Sequence, residues 1–201
     1  SYRRIVLRCA YIFVYMIITG IDYSLRSPAI CTHNGSEWKY TSCIFHFLSD
    51  RKKYSDVFCK RFFGKSFDSF SNEQERYDSI SSWAVDKCEG TDQIAIEDYA
   101  YNATGRVFNI AENTGVLKYK LFQMGIPLES LSPSKVKKFA TGKGNASKEL
   151  MYSAFLKETK VNLIKELNMK SLGNPVTDIV DSYYICKLLF TELTRLDIKN
   201  D

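Results

Sequence analysis

Residues 174–182 read Asn-Pro-Val-Thr-Asp-Ile-Val-Asp-Ser and mark the start of the last long helix that the sequence predicts. Asn174 is a favourable N-cap residue, and Pro175 suits the first helical position. Because successive helical residues are about 100° apart, Asp178 and Asp181 lie on one face of this helix, one turn from each other. Two carboxylates on one face repel each other unless solvent or a cation lies between them. The stretch therefore raises the hypothesis of a metal site.

A solvated helix face is the simpler interpretation of this aspartate pair, because acidic residues near a helix start interact favourably with the helix dipole. The continuation of the same face argues against it. Ile185 follows the two aspartates on their arc and is flanked by Leu188 and Leu189. The face becomes apolar within a turn, so we expect the two acids to lie at the rim of a partly buried region.

Composition places the chain among ordinary globular proteins. Its 201 residues are enough for one domain with a full core, and 45% hydrophobic with 25% charged residues excludes a wholly disordered chain. A formal net charge of +5 suits an anionic partner without identifying one. Six cysteines without a CxxC pair and two histidines give little support to a zinc site. We expect reduced thiols, with a disulfide framework as the less favoured alternative.

The first fifteen residues differ from the rest. Three arginines within residues 1–8 precede an apolar run from Cys9 to Ile18, about half of the roughly 20 residues that a membrane span needs. We interpret residues 1–15 as an N-terminal extension and residues 16–201 as a single domain that begins near Met16. The expectation is a cytoplasmic protein without stable membrane association. Targeting to an organelle through residues 1–15 is the alternative.

Short apolar runs separated by turn signals predict an α/β domain with a five-stranded mixed sheet flanked by helices. The predicted strands cover residues 17–22, 29–32, 38–47, 94–97 and 128–131. The first three form an antiparallel meander with Asn34-Gly35 as a hairpin turn. The predicted helices cover residues 72–88 and 102–124 and two segments that begin near Ser147 and Asn174.

Residues 49–70 form a basic and aromatic insertion between the third predicted strand and the first predicted helix. Its cations are Arg51, Lys52, Lys53, Lys60, Arg61 and Lys65, and its rings are Tyr54, Phe58, Phe62, Phe63 and Phe67. Cations interleaved with rings are typical of surfaces that hold phosphates and stack on bases. The alternative is an inserted loop whose phenylalanines pack on the domain.

Acidic residues also close two of the predicted strands. Asp22 ends the first strand and Glu97 ends the fourth. The order of elements is a three-strand meander, a helix, a strand, a helix, a strand and further helices. This order is similar to the RNase H-like architecture, in which the first and fourth strands are neighbours. The resemblance implies that Asp22, Glu97, Asp178 and Asp181 meet at one place.

Four motifs make the resemblance closer. They are Gly20-Ile21-Asp22, Ile94-Ala95-Ile96-Glu97, Val136-Lys137-Lys138 through Gly142-x-Gly144-x-Ala146-x-Lys148, and Asp178-Ile179-Val180-Asp181-Ser182. In order and spacing, over residues 16–190, they resemble the RuvC-type Holliday junction resolvases. The third motif contains what we expect to be a basic, glycine-containing loop over residues 135–144.

The resemblance implies a crossover junction endonuclease that acts as a homodimer on branched DNA and makes paired nicks across a four-way junction. It implies Asp22, Glu97, Asp178 and Asp181 as ligands of two Mg²⁺ ions, for which Mn²⁺ can substitute. Lys137 and Lys148 are implied near the scissile phosphate. A bacterial or phage origin is the expectation that goes with it.

This chemistry is physically consistent with the residue types. Magnesium prefers oxygen ligands and keeps several waters. Two ions about 4 Å apart can activate the attacking water and stabilise the leaving oxygen. A nearby lysine stabilises the charge that develops on the phosphate. With only two histidines in the chain, no Ser-His-Asp or Cys-His arrangement is indicated.

The residues expected to contact nucleic acid are Tyr99, Tyr101, Lys135, Lys137, Lys138, Lys143 and Lys148. The chain departs from the family pattern at two places beside them. Tyr23 and Ser24 follow the first aspartate, where many relatives have Pro-Gly. Ala100 stands where many relatives have an aromatic wedge, so a neighbouring tyrosine is the candidate for stacking on an unpaired base.

Three alternatives remain open from the sequence. The same fold could act on RNA, since no residue distinguishes RNA from DNA. It could also be a nucleic-acid-binding module without turnover, although such modules usually lose one of the acids that this chain keeps. An actin-like ATPase also begins with Gly-Ile-Asp, but it needs further glycine-rich phosphate loops that the chain lacks.

Overall fold

The computed structural model describes residues 5–8, 11–98 and 107–199, with side chains for residues 15–98 and 107–195. The strands are β1 (Ile5–Arg8), β2 (Tyr11–Val14), β3 (Met16–Asp22), β4 (Ala29–Gly35), β5 (Cys43–Ser49), β6 (Val57–Phe58), β7 (Phe62–Ser66), β8 (Gln93–Glu97) and β9 (Leu128–Leu131). The helices are α1 (Glu73–Lys87), α2 (Val107–Gln123), α3 (Pro133–Thr141), α4 (Lys148–Thr159), α5 (Leu163–Glu166) and α6 (Val176–Lys199). Short 3-10 turns cover Tyr40–Ser42 and Lys52–Tyr54.

The main sheet has seven strands in the order β6-β7-β5-β4-β3-β8-β9, and β1 and β2 form a separate antiparallel pair. The predicted antiparallel meander is confirmed as β3-β4-β5, and β3 lies beside β8 in parallel, as the first and fourth predicted strands should. β9 extends the sheet in parallel with β8. The expected count of five strands is wrong because β6 and β7 add a second edge beyond β5.

These two additional strands lie within residues 49–70, the predicted basic and aromatic insertion. β7 pairs in parallel with β5, and the stacked rings of Phe45 and Phe62 lie 4.8 Å apart. Cross-strand aromatic pairs of this kind stabilise a sheet. A Cβ atom on Gly64 would lie 1.8 Å from the carbonyl oxygen of Tyr54, so only glycine lets the preceding turn pack on β7. The aromatic side chains of the segment pack mainly on the domain, while Arg51, Lys52 and Lys53 are exposed.

The sheet separates two cores because side chains alternate along each strand. On one face, Ile18 and Ala95 pack with Ile185 of α6 in a core that also includes α4 residues. On the other face, Ile21 and Ile96 belong to a core that includes residues of α1 and α2. The result is a three-layer α/β/α arrangement, in which the α6 side is the side of the predicted acids.

Helix α6 packs directly on β3 at Gly20. A Cβ atom at this position would lie 2.3 Å from the backbone nitrogen of Cys186 and 2.6 Å from the carbonyl oxygen of Ser182. Contacts this short do not occur, so the helix approaches the strand only because residue 20 has no side chain. The close approach brings the first turns of α6 to the end of β3, where Asp22 lies.

Several predicted boundaries are corrected by the structure. The last helix begins at Val176 rather than at Pro175, whose carbonyl oxygen accepts the Ile179 N–H at 3.0 Å. Most of the expected loop at residues 135–144 is helix α3, which Ser132 caps by accepting a hydrogen bond from the Lys135 N–H. A capping serine followed by a proline favours a helix here despite the later glycines.

The meander also differs in detail from the prediction. The predicted strand at 38–47 starts only at Cys43, after a 3-10 turn, and continues to Ser49. Asn34 and Gly35 belong to β4, where they pair with residues of β3, instead of forming the hairpin turn. Ser147 caps α4 as predicted, accepting the Leu150 N–H at 3.3 Å. In the ranges described, no helix is both long and apolar enough to cross a bilayer.

Candidate active site

Asp22 and Glu97 leave two adjacent parallel strands at the same end of the sheet. Ile21 and Ile96 form the last residue pair between β3 and β8. Each acid is the next residue along its strand. Because successive side chains alternate between faces, Asp22 shares a face with Gly20, and Glu97 shares one with Ala95. That face is the one covered by α6. The two strand carboxylates therefore project towards the helix that carries the other two acids.

Asp178 and Asp181 lie on the first two turns of α6, on the side that faces the sheet. Asp178 is 6% exposed and Asp181 is half-buried, while Ile185, farther along the same face, is fully buried. The expected transition from acids to an apolar contact is confirmed. The sheet and α6 thus hold these carboxylates where little water can solvate them.

The electrostatics of the site indicate that the four acids influence one another. Burial raises the pKa of Asp22, and the charges of Asp178, Asp181 and Glu97 raise it further. Burial followed by repulsion from Glu97 and Asp178 raises the pKa of Asp181 to about 7. These shifts have the sign expected for like charges that are forced together in a poorly solvated place. Without a cation, the cluster holds protons near neutral pH.

The remaining two acids show the opposing influence of nearby cations. Burial raises the pKa of Glu97, while the charges of Lys137 and Lys148 lower it. Burial raises the pKa of Asp178 to about 6, and a hydrogen bond from Ser27 and the charge of Lys148 act against this rise. Lys137 and Lys148 therefore lie close enough to the carboxylates to interact with them, on α3 and at the start of α4 respectively.

The other residues predicted to contact nucleic acid differ in their exposure and in their ion pairs. Lys138 and Lys143 are exposed, on α3 and in the turn that follows it. Lys135 pairs with two acids instead, with its Nζ 2.8 Å from Glu192 and 3.8 Å from Glu129. Tyr99 and Tyr101, the two stacking candidates, lie outside the described residues.

Sequence reasoning missed Ser27, which lies beside the site. Its hydroxyl donates a hydrogen bond of 2.5 Å to Oδ2 of Asp178, although the two residues are 151 positions apart. No local pattern marks such a distant pair. The side chain of Asn174, the predicted helix cap, bonds Ser27 and Thr177.

A cavity of about 570 Å³ opens beside the carboxylates. Asp22, Glu97 and Asp178 lie along one part of its wall, and apolar side chains that include Leu25 and Ile110 form another. Its size is in the range of pockets that take small ligands or a single nucleotide-sized group, about 300 to 1,000 Å³. A substrate therefore has room to reach the carboxylates from this side.

The donor set suits a hard divalent cation such as Mg²⁺. It consists of carboxylate oxygens whose mutual repulsion a cation would relieve, and the fit rests on the raised pKa values of these acids. Within the described part of the chain, no three Asp, Glu, His or Cys side chains already have the spacing of a metal cage.

No protein-family model and no curated protein sequence matches this chain. Solved structures do match it. RuvC from Thermus thermophilus has 16% sequence identity and a TM-score of 0.53, over 85% of this chain and 91% of that one. T. thermophilus RuvC in complex with a Holliday junction substrate has 15% identity and a TM-score of 0.55, over 86% and 91% of the two chains.

A eukaryotic protein shows the same likeness. The yeast mitochondrial Holliday junction resolvase has 16% identity and a TM-score of 0.51, over 86% of this chain and 77% of that one. The likeness extends over most of each chain. The protein therefore has the RuvC-type resolvase fold that its motifs predict.

Proposed function

We propose that this protein is a divalent-metal-dependent endonuclease that cuts branched DNA, with the four-way junction as its principal substrate. One observation carries the proposal. Burial raises the pKa of four neighbouring carboxylates from β3, β8 and α6, and the charge of Lys148 acts against the rise at each of them. Such strongly perturbed acids beside a cavity are typical of catalytic centres. The resolvase fold supports the choice of substrate.

In this proposal, Asp22, Glu97, Asp178 and Asp181 hold two Mg²⁺ ions, for which Mn²⁺ can substitute. The ions would supply an activated water and neutralise charge on the scissile phosphate. The chain's own contribution is to hold the four carboxylates on a rigid sheet and helix. Lys148 and Lys137 add positive charge beside the phosphate, where charge develops during cleavage.

The DNA is proposed to lie across the end of the sheet where Asp22 and Glu97 are found. Lys138 and Lys143 are exposed and face no acid within the described ion pairs, so they are suited to phosphate contacts. Lys135 contributes less, because its ammonium already pairs with Glu192. Tyr99 and Tyr101 remain candidates for stacking on an unpaired base, since they closely follow Glu97 in the chain.

A homodimer is part of the proposal because two cuts must be placed symmetrically on a four-way junction. Helix α2 offers an apolar outer face for it. Phe108 is 83% exposed, Phe122 is 77% exposed, and Tyr119 is 61% exposed. Their spacing places all three on one side of the helix. Large rings exposed in a row are a feature of surfaces that bind another protein.

The experiment is cleavage of a labelled four-way DNA junction in Mg²⁺, compared with a linear duplex of the same arms. We expect paired nicks in two opposite strands of the junction and little cutting of the duplex. Asp181→Asn should abolish cleavage and retain junction binding. Asp50→Asn is the matched control, since Asp50 is an exposed carboxylate directly after β5, and it should cut like the wild type.

Two outcomes would contradict the proposal in different ways. Binding without cutting of any branched substrate would indicate a module that only binds nucleic acid. Faster cutting of a four-way RNA junction than of the DNA junction would move the substrate class to RNA. Full activity of Asp181→Asn would remove that residue from the catalytic set.

A further inference from the structure

We infer that Ser27 is a positioning residue for the metal site, and that it fixes the orientation of the Asp178 carboxylate through a directed chain of hydrogen bonds from Lys148. The inference rests on the proposed function, since it concerns how that site holds its cation. Ser27 lies in the loop after β3, and its partners lie at the start of α6 and of α4.

The geometry at Ser27 assigns its single proton. The Nδ2 group of Asn174 donates to the Ser27 Oγ at 2.6 Å, so the serine oxygen accepts on that side. The Ser27 hydroxyl then donates to Oδ2 of Asp178 at 2.5 Å. A hydroxyl has one donor and two acceptor positions, so both contacts are satisfied at once. Ser27 therefore holds one carboxylate oxygen of Asp178 in a fixed place.

The hydrogen bonds on the other side of the Asn174 amide run in the same direction, from Lys148 towards Asp178. The Thr177 hydroxyl donates to Oδ1 of Asn174 at 2.7 Å. The Nζ of Lys148 approaches the Thr177 oxygen at 3.4 Å and can only donate. Lys148 can only donate a hydrogen bond, and an ionised Asp178 can only accept one. These two residues at the ends of the series therefore fix the Asn174 amide with Nδ2 towards Ser27 and Oδ1 towards Thr177. A contact of 3.5 Å between Thr177 and Oδ1 of Asp178 is the weaker competitor for the threonine proton.

Three members of this series of hydrogen bonds are buried, while Asn174 and Lys148 are exposed. Ser27 is 4% exposed, Thr177 is 3% exposed, and Asp178 is 6% exposed. Hydrogen bonds in such a place are stronger than in water, and water replaces a missing partner poorly. Loss of the Ser27 hydroxyl should therefore free the Asp178 carboxylate to rotate.

The consequence concerns the second carboxylate oxygen. With Oδ2 held by Ser27, the orientation of Oδ1 is fixed as well, and the remaining lone pairs of both oxygens would be free to hold a cation. Groups that orient metal ligands in this way typically contribute 10- to 100-fold in metal affinity. The same series of hydrogen bonds links Lys148 to Asp178, which would be a metal ligand in the proposed function.

The test measures Mn²⁺ binding to the DNA-free dialysed protein by isothermal titration calorimetry, so that it does not depend on cleavage. We expect Ser27→Ala to weaken Mn²⁺ binding about 10- to 100-fold, and Ser27→Thr, which keeps the hydroxyl, to recover most of it. Ser49→Ala is the matched control. Ser49 is also 4% exposed and lies on β5 outside the chain of bonds, so its loss should leave Mn²⁺ binding unchanged.

A second variant guards against a folding defect in Ser27→Ala. Asn174→Leu removes the donor to Ser27 but keeps the serine itself, and we expect an intermediate loss of Mn²⁺ affinity at an unchanged far-ultraviolet spectrum. Wild-type affinity in both Ser27→Ala and Asn174→Leu, with binding lost in Asp178→Asn, would overturn the inference and leave the proposed function intact. Absence of Mn²⁺ binding to the wild type would overturn the proposed function itself.

Discussion

At the scale of single residues, the charged form of Asp181 costs folding free energy that a bound cation can remove. Burial and the neighbouring acids raise its pKa to about 7, from 3.8 as an isolated group. In the metal-free protein the charged form is therefore disfavoured by folding. The stabilising contribution of this group is complete below the unfolded pKa near 4 and is lost as the pH rises through about 7.

Removing the charge should reverse this loss. In the presence of a chelator, Asp181→Asn is expected to unfold at higher urea than the wild type at pH 8. The stability difference between Asp181→Asn and the wild type should shrink by about 2.6 kcal/mol between pH 8 and pH 5, since a pKa unit corresponds to about 1.4 kcal/mol. Urea unfolding at the two pH values measures it, with Asp50→Asn as the exposed control. A pH-independent difference between Asp181→Asn and the wild type would contradict the account.

At the scale of elements, the contact between β3 and α6 joins the fold to the site. Gly20 permits a helix to rest on a strand with the backbone atoms of Cys186 and Ser182 directly above it. Asp22 lies two residues later on the same face of the strand. The Gly-Ile-Asp motif therefore couples a close packing contact to a carboxylate, and the helix that makes the contact supplies two more.

We expect Gly20→Ala to destabilise the protein by about 3 kcal/mol, because overpacking against backbone atoms cannot be relieved by a rotamer change. The variant should also lose Mn²⁺ affinity, since α6 must move away from β3. Thermal unfolding and calorimetry measure the two effects. Gly173→Ala is the control, because a Cβ there meets nothing within 4 Å. Equal stability of the two variants would show that α6 does not rest on Gly20.

Helix α2 carries the prediction about assembly. Phe122→Glu places a charge on its exposed apolar face and should convert a dimer into a monomer in light scattering coupled to size-exclusion chromatography. Val57→Glu is the control, since Val57 is 53% exposed at the other edge of the sheet. A wild-type protein that is already monomeric, or a Phe122→Glu variant that stays dimeric, would remove α2 from the proposed interface.

The elements also show what the sequence can and cannot predict. Strand runs that end in Asp22 and Glu97, and the arc shared by Asp178 and Asp181, are local patterns, so the placement of these acids follows from them. The pairing of β7 with β5 is a contact between segments that are separated in the sequence. An aromatic run is the only local pattern that indicates it. Helix α3 was not predicted because it is short and basic and is followed by glycines, which favour a loop.

At the scale of the whole molecule, acidic and basic side chains lie at the same end of the sheet. β3 and β5 both run antiparallel to β4, so they end on the same side. Asp22 closes β3 there, and the exposed Arg51, Lys52 and Lys53 follow β5. Neighbouring strands lie about 4.8 Å apart, so β5 runs about 10 Å from β3, and the basic stretch begins just beyond its end. A phosphate backbone that enters the site would pass near these cations.

The salt dependence of junction binding tests this arrangement. Each phosphate contact that is lost lowers the slope of log affinity against log salt by about 0.9. Replacing Lys52 and Lys53 by glutamine should lower the slope by about 1 to 2. Lys60→Gln is the control, because Lys60 precedes β7 at the opposite end of the sheet. An unchanged slope in the double variant, or an equal loss in the control, would place the DNA elsewhere.

The central claim is that carboxylates from two strands and one helix form a single metal centre. The most direct test is an anomalous-difference map from crystals of the protein grown with Mn²⁺. We expect strong peaks at metal–oxygen bonding distance from Asp22 and from at least two of Glu97, Asp178 and Asp181, and no peaks there in Asp181→Asn crystals. Mn²⁺ bound only at other surface carboxylates, with these four acids apart, would contradict it.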